Sequence, residues 1–309
     1  MWCQTVEKVA CSQKQHGIAS LCELFGKTRQ AYYKNKKTTF KESVKEDLII
    51  TLVKKVRENQ KRIGGRKLLA MISSLIPEGE QIGRDAFFDL LRSNNMLVRK
   101  RRTRAFTTNS FHWLHKYPNL VKGFVPQKAN QLWVSDITYI KTSTGFVYLY
   151  LITDAYSRKI MGWFLSETME AQNALKALYM ALRRLPAKAR GLIHHSDRGI
   201  QYCSSKYVSC LQKHNIDISM TENGDPYENA IAERVNGILK TEWLYDITLK
   251  DCAEATIAIK EIIAIYNGLR PHSSIEMLTP NQAYQRTGIL KRLWKTYYRK
   301  RQNEILVES

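Results

Sequence analysis

Apolar and polar positions change rhythm near residue 130. Before it, apolar residues recur at helical spacing. In HGIASLCELFGKTRQAYYKNKK (16–37), Ile18, Leu21, Cys22 and Phe25 share one helix face. Gly26 breaks the run, and Thr28 can cap a second, polar helix carrying Arg29, Gln30, Tyr32, Tyr33 and Lys34. Two short helices about a Gly turn suit a helix-turn-helix. A longer helix is predicted over Val44–Glu58. A further pair, Arg66–Leu75 and Arg84–Ser93, follows Gly64 and Gly65 and leads into RKRRTR (99–104). Residues 105–129 lose periodicity and read as a linker.

After Asn130 the pattern is that of strands. QLWVSDITYIKT (131–142), FVYLYLITD (146–154) and RKIMGWFLS (158–166) are rich in β-branched and aromatic residues, and their short links imply an antiparallel meander. A helix over Ala171–Arg184 comes next. Strand 191–196, helix 205–214, strand 216–220 and a helix starting near Tyr227 complete the alternation. This order predicts an α/β domain: a ribonuclease-H-like mixed five-stranded sheet with flanking helices, preceded by all-α helix-turn-helix-type domains.

Composition narrows the partners. The chain has 309 residues and a net charge of +21. Residues 1–129 hold 26 Lys and Arg against 10 Asp and Glu, whereas residues 130–309 hold 23 against 18. So uneven a basic bias points to a polyanion, above all nucleic acid. A plainly soluble basic surface is the alternative. The six cysteines form no CxxC pair and read as free thiols of a reducing compartment. Neither a membrane span nor a signal peptide is expected. The expected location is the cytoplasm.

Three carboxylates stand where chemistry would want them. Asp136 lies inside the first strand, between Trp133, Val134, Ile137 and Tyr139, where an ionised group needs a charged partner. Asp197, in HHSDRGIQY (194–202), ends the fourth strand, and ligands bind at such strand ends. Glu233 lies in YENAIAERVNGILKTEW (227–243), on a helix face shared with Asn229 and Gly237 and able to look back toward the aspartates. Carboxylates gathered in this way suit hard divalent cations and phosphoryl transfer. Singly, each also fits a surface ion pair or a cap. His112 and His115 have no cysteine pair to complete a zinc site.

WVSDITYI, HHSDRGIQY and ENAIAERVNGILKTEW, in that order, closely resemble the catalytic core of DDE transposases of the insertion sequence 3 family, relatives of retroviral integrases. YLYLITDAYSRKIMGW (148–163) resembles the core's second and third strands, and YNGLRPHSSIEMLTPNQAY (266–284) its C-terminal signature. GGRKLL with IGRDAFFDLLRSNNMLVRKRR resembles the helical domain that precedes it. The likeness spans residues 15–285.

The resemblance implies a triad of Asp136, Asp197 and Glu233 holding two Mg²⁺ or Mn²⁺. It implies water attack at a transposon end, then attack by the freed 3′-OH on another phosphodiester, first linking the two ends into a circle. Ser196 and Cys203 then need no catalytic role. The implied partners are double-stranded DNA (terminal inverted repeats and target), a second copy in a dimer or higher oligomer on DNA, and an upstream-frame fusion or partner protein, since the sequence shows no leucine-zipper heptads. The expected domains are a helix-turn-helix-like DNA-binding segment (1–40), a second such helical domain (41–104), a linker (105–129), the catalytic core (130–285) and a basic tail (286–309). DNA contacts are assigned to Arg29, Lys34, Arg84, Arg99, Lys100, Arg101, Arg102, Arg104, Arg198, Gln201, Asn229, Lys240, Arg270 and His272. Gly199 is expected to let the chain turn after Asp197, Asn229 to orient Glu233 or meet a phosphate, and His195 to touch DNA or the metal shell or to serve structure. A non-catalytic DNA-binding regulator of the fusion transposase is the alternative, and a nuclease of RNA–DNA hybrids a third reading.

Overall fold

The computed structural model describes residues 2–12, 17–99, 114–187, 189–222 and 229–293. Lys100, Arg101, Arg102 and Arg104, and the tail beyond residue 293, lie outside them. Two compact units emerge, Met1–Glu58 with Met71–Leu97 and Asn59–Ala70 with Val98–Ser309.

The first unit is helical. α1 (Trp2–Ser12), α2 (Ile18–Glu23) and the start of α3 (Arg29–Asn59) close over Val6, Leu21, Cys22 and Tyr32. The turn before α3 uses Gly26 at φ 63°, in the left-handed region, and the Thr28 hydroxyl accepts a 3.2 Å hydrogen bond from the Ala31 amide. α3 runs unbroken for 31 residues. The expected boundary at 40/41 therefore falls inside one helix. α4 (Gly65–Ile72), whose residues 65–70 belong to the second unit, is followed by a short 3₁₀ turn, and α5 (Arg84–Ser93) of the first unit buries Phe87, Leu90 and Leu91.

The second unit is built on one sheet. β1 (Leu132–Thr142), β2 (Gly145–Asp154) and β3 (Ile160–Ser166) form an antiparallel meander. β4 (Ile193–Ser196) runs parallel to β1, and β5 (Asp217–Met220) parallel to β4. The order is β3-β2-β1-β4-β5. This is the mixed five-stranded sheet expected of a ribonuclease-H-like core.

Both faces of the sheet are apolar because both are covered. Tyr150 and Ile152 of β2 point to α6 (Ala171–Arg183), α7 (Ile200–Cys203) and α8 (Ser205–Lys213). Leu149 and Leu151 point to α9 (Ala230–Glu242) and α10 (Cys252–Gly268). On the first face α6 approaches so closely that a Cβ on Gly162 would lie 2.1 Å from the Ala177 carbonyl oxygen. On the second, the Asn267 amide exchanges hydrogen bonds of 2.9 and 3.0 Å with the Ile160 backbone, capping the β3 edge from α10. A short α11 (Pro280–Tyr284) opens with a capping box at Thr279.

Asp154 is a structural carboxylate. It is fully buried at the β2–β3 turn and accepts from the Ser157 amide and hydroxyl and from the Asn130 amide. All six cysteines are free. Among the described residues no helix is long and apolar enough to cross a membrane.

Candidate active site

The register of two parallel strands sets the site. Trp133 stands beside His194 and Val134 beside His195. Two residues further along each chain are Asp136, in mid-β1, and Asp197, just past the end of β4. The sheet thus brings the two aspartates side by side.

Asp136 is half-buried. Burial first, and the neighbouring Asp197 second, push its carboxyl up to about 7. Two donors oppose the shift: the Asn236 amide at 2.7 Å and the Ile137 backbone amide at 2.9 Å. Glu233 adds a smaller repulsion from α9. Partial desolvation raises Glu233 itself, although its side chain is exposed. Among the described residues no three acids, histidines or cysteines are gathered closely enough to form a metal cluster. The two aspartates suit a hard cation, whose charge would offset their mutual repulsion. Glu233 stands on α9, within electrostatic reach of Asp136.

α9 is fixed over β1 by amides. Asn229 is buried and donates at 3.1 Å to the carbonyl of Ser135, the residue before Asp136. Its side chain thus anchors the helix start to the strand and does not reach outward to a phosphate. Asn236, three residues after Glu233, reaches Asp136 directly. Asn236 lies outside the face expected of Asn229, Glu233 and Gly237, although its i+3 and i+7 spacing from Glu233 and Asn229 is legible. Lys240 lies on the same face, half-buried over the Tyr139 ring at 4.4 Å; burial lowers its pKa, and the Asp136 charge opposes that shift only in part.

Behind the aspartates lies a buried polar layer. His194 Nε2 lies 2.7 Å from the Ser135 hydroxyl and 2.9 Å from the Tyr207 hydroxyl. Burial, with His195 beside it, holds His194 down at about 3, so it is neutral. His195 Nδ1 meets the Ser219 hydroxyl of β5 at 2.8 Å. Both histidines are buried within the sheet.

Asp197 Oδ1 accepts from the Gly199 amide at 3.0 Å. Gly199 has φ −64°, which any residue adopts. What Gly199 provides is room: a Cβ there would stand 3.0 Å from Asp197 Oδ1. Gln201, expected to face DNA, is buried and donates to the Met169 carbonyl at 3.1 Å. Arg198 is half-buried.

Arg270 and His272 are not surface contacts either. Arg270 is fully buried and grips Glu242 through two bonds, at 2.7 and 2.6 Å. It also donates to His272 Nε2 at 2.9 Å. Lys67 completes the cluster, 3.5 Å from Glu242. By contrast Arg29, Lys34, Arg84 and Arg99 are exposed, Arg84 in an ion pair with Asp85 at 2.8 Å.

Two integrase core domain families match the chain, one over residues 126–226 and the other over residues 214–280. An uncharacterized 31 kDa protein of insertion element IS600 from Shigella sonnei is 36% identical over 266 residues, covering 84% of this chain and 96% of that protein. The transposase for insertion sequence element IS629, also from Shigella sonnei, is 31% identical over 266 residues, covering 84% and 88%. Transposase InsF for insertion sequence IS3A of Escherichia coli (strain K12) is 37% identical over 190 residues, covering 60% and 65%. Among solved structures, the HTLV-2 integrase catalytic core domain in complex with magnesium is similar over 52% of this chain and 99% of that chain, with 19% identity and a TM-score of 0.42.

Proposed function

The chain belongs to the integrase-core transposases of the insertion sequence 3 family, and from that premise we propose that it cleaves the 3′ ends of an insertion sequence and joins them to DNA. The observation that carries this reading is the juxtaposition of Asp136 and Asp197 on parallel strands, with α9 laid across β1 through Asn236.

In this reading Asp136, Asp197 and Glu233 are the catalytic carboxylates and hold two Mg²⁺ or Mn²⁺. Such ions, once bound, activate the attacking oxygen and neutralise charge at the leaving oxygen. The residues of the chain do the rest. The β1–β4 register sets the spacing of the aspartates. Asn236 and the Ile137 amide occupy one oxygen each of Asp136 and fix its plane. Neutral His194 backs the strand without adding positive charge near the acids. In the same reading Lys240, within electrostatic reach of Asp136, meets a DNA phosphate.

The nucleophiles come from outside the protein. Water forms a new P–O bond at the end of the element, and the bond to the 3′ oxygen breaks, leaving a 3′-OH. That hydroxyl then forms a P–O bond at another phosphodiester and displaces its 3′ oxygen. No protein side chain becomes covalently attached. The partners are terminal inverted repeats, target DNA, a second copy of the chain, and an upstream-frame segment as fusion or separate protein. Arg29, Lys34, Arg84, Arg99 and the run 100–104 supply the basic contacts along DNA.

The test replaces Glu233 with Gln. Strand joining should disappear while duplex binding stays largely intact. Unchanged joining would remove Glu233 from the triad. Metal-independent binding with no 3′-OH product at any Mg²⁺ concentration would instead favour the regulator.

A further inference from the structure

A cavity of about 440 Å³ opens along the opposite face of α9 from the acids. Asn229, Asn236 and Lys240 face β1, whereas Ile231, Arg234 and Ile238 line the cavity, roughly half a helical turn round. The wall is strongly cationic, with Lys67, Arg158, Arg234, Arg270 and Arg292. Among the described residues no carboxylate lines it. Glu242 pairs with Arg270 and Lys67 from behind and so already serves two of these five cations.

The cluster is short of negative charge. Burial and Arg270 push Lys67 down to about 8 even though Glu242 is beside it. His272, in the same wall, is held neutral by burial and by Arg270, Lys67, Arg158 and Arg234 together. Like charges so confined repel, and a bound anion removes the conflict.

One further polar group belongs to the same wall. Tyr266 is fully buried, and its hydroxyl has no hydrogen-bond partner among the described residues. A buried O–H is rarely left unpaired without a reason. Tyr266 is part of the cavity wall, with Arg270 and Arg158 in electrostatic reach. Ser273 and Ser274 add two hydroxyls at the rim.

We propose that this cavity is a phosphate-binding site, in which a phosphate oxygen accepts from the Tyr266 hydroxyl while Arg234 and its neighbouring cations neutralise the charge. Acceptor-only oxygens, a high charge density and a small volume are what this wall selects. The phosphate comes either from a DNA backbone, an arm that rests on the function proposed above, or from a free phosphate compound.

The test uses pyrophosphate with the full chain in EDTA, followed by calorimetry, so neither metal nor strand joining enters the readout. Saturable binding is expected. Arg234→Ala should weaken it by about tenfold or more, the scale of one charge-assisted hydrogen bond. Tyr266→Phe, which leaves every charge in place, should weaken it several-fold. Asp136→Asn should leave it unchanged. No saturable binding, or equal affinity in wild type, Arg234→Ala and Tyr266→Phe, would overturn the site. The salt dependence of duplex binding then identifies the source. A log–log slope reduced by roughly 0.9 in Arg234→Ala assigns a DNA phosphate. An unchanged slope beside weakened pyrophosphate binding assigns a free phosphate compound. Failure of strand joining in the wild type would leave the pyrophosphate result standing.

Discussion

Asn236 of α9 donates a 2.7 Å hydrogen bond to Asp136 of β1, tying the helix that carries Glu233 to the strand that carries the first aspartate. The bond also opposes the rise in the Asp136 pKa. Its loss should act through the acid it holds. For Asn236→Ala the Mg²⁺ concentration giving half-maximal joining should rise about 10–100-fold, the usual scale for a partner of a metal ligand. Duplex affinity without metal should hold. A metal titration coincident with that of the wild type would show that the bond does not matter to the site.

His194 should shape the acid limb of stability. Its folded pKa is about 3, below the ordinary 6.5, because burial disfavours the charged ring. Above pH 6.5 both folded and unfolded states hold it neutral, and its full contribution is present. As pH falls from 6.5 toward 3, only the unfolded state takes up the proton. Stability should therefore fall by about 1.4 kcal/mol per pH unit from this group alone. Urea unfolding of His194→Gln between pH 7 and pH 4, beside wild type, should lose that component of the slope. Parallel slopes would mean that His194 is already protonated in the fold.

Gly162→Ala should destabilise the core domain. The new methyl meets the Ala177 carbonyl at 2.1 Å and Ala181 Cβ at 2.9 Å. Backbone cannot yield as a side-chain tip does, so α6 must shift. Overpacking of this kind costs about 1–3 kcal/mol. Thermal unfolding of the variant checks it, and an unchanged midpoint would place α6 further from β3.

Glu242→Ala should cost more. Arg270 is completely buried and Glu242 accepts two of its hydrogen bonds. Removing the acid strands a guanidinium among Lys67 and His272. Breaking a buried pair from one side typically costs about 3–5 kcal/mol. Denaturant unfolding measures this directly, and a loss under 1 kcal/mol, roughly the worth of an exposed pair, would show that Arg270 finds another partner.

The five-stranded sheet was largely legible in the sequence. β-branched and aromatic runs with short links mark β1 to β3, and those elements stand within two residues of their expected bounds. What escaped reading has physical causes. Residues 33–44 of α3 are exposed without exception, so they carry no apolar rhythm, and propensity alone sustains the helix where a boundary was expected. α1 and α10 were likewise not set out by the pattern. Arg270 and His272 read as DNA-facing because charge is visible in a sequence and burial is not. Gln201 went the same way. Asn236 was missed because an uncharged amide announces no chemistry until the acid it touches is known.

Strand joining with Asp197→Asn tests the central claim most directly. A labelled duplex ending in the element's inverted repeat, the purified chain and Mg²⁺ or Mn²⁺ should give joined products. The same assay with Asp197→Asn should give none, with duplex binding retained. Equal joining by the variant, or joining in EDTA, would contradict a metal-dependent site built on Asp136 and Asp197.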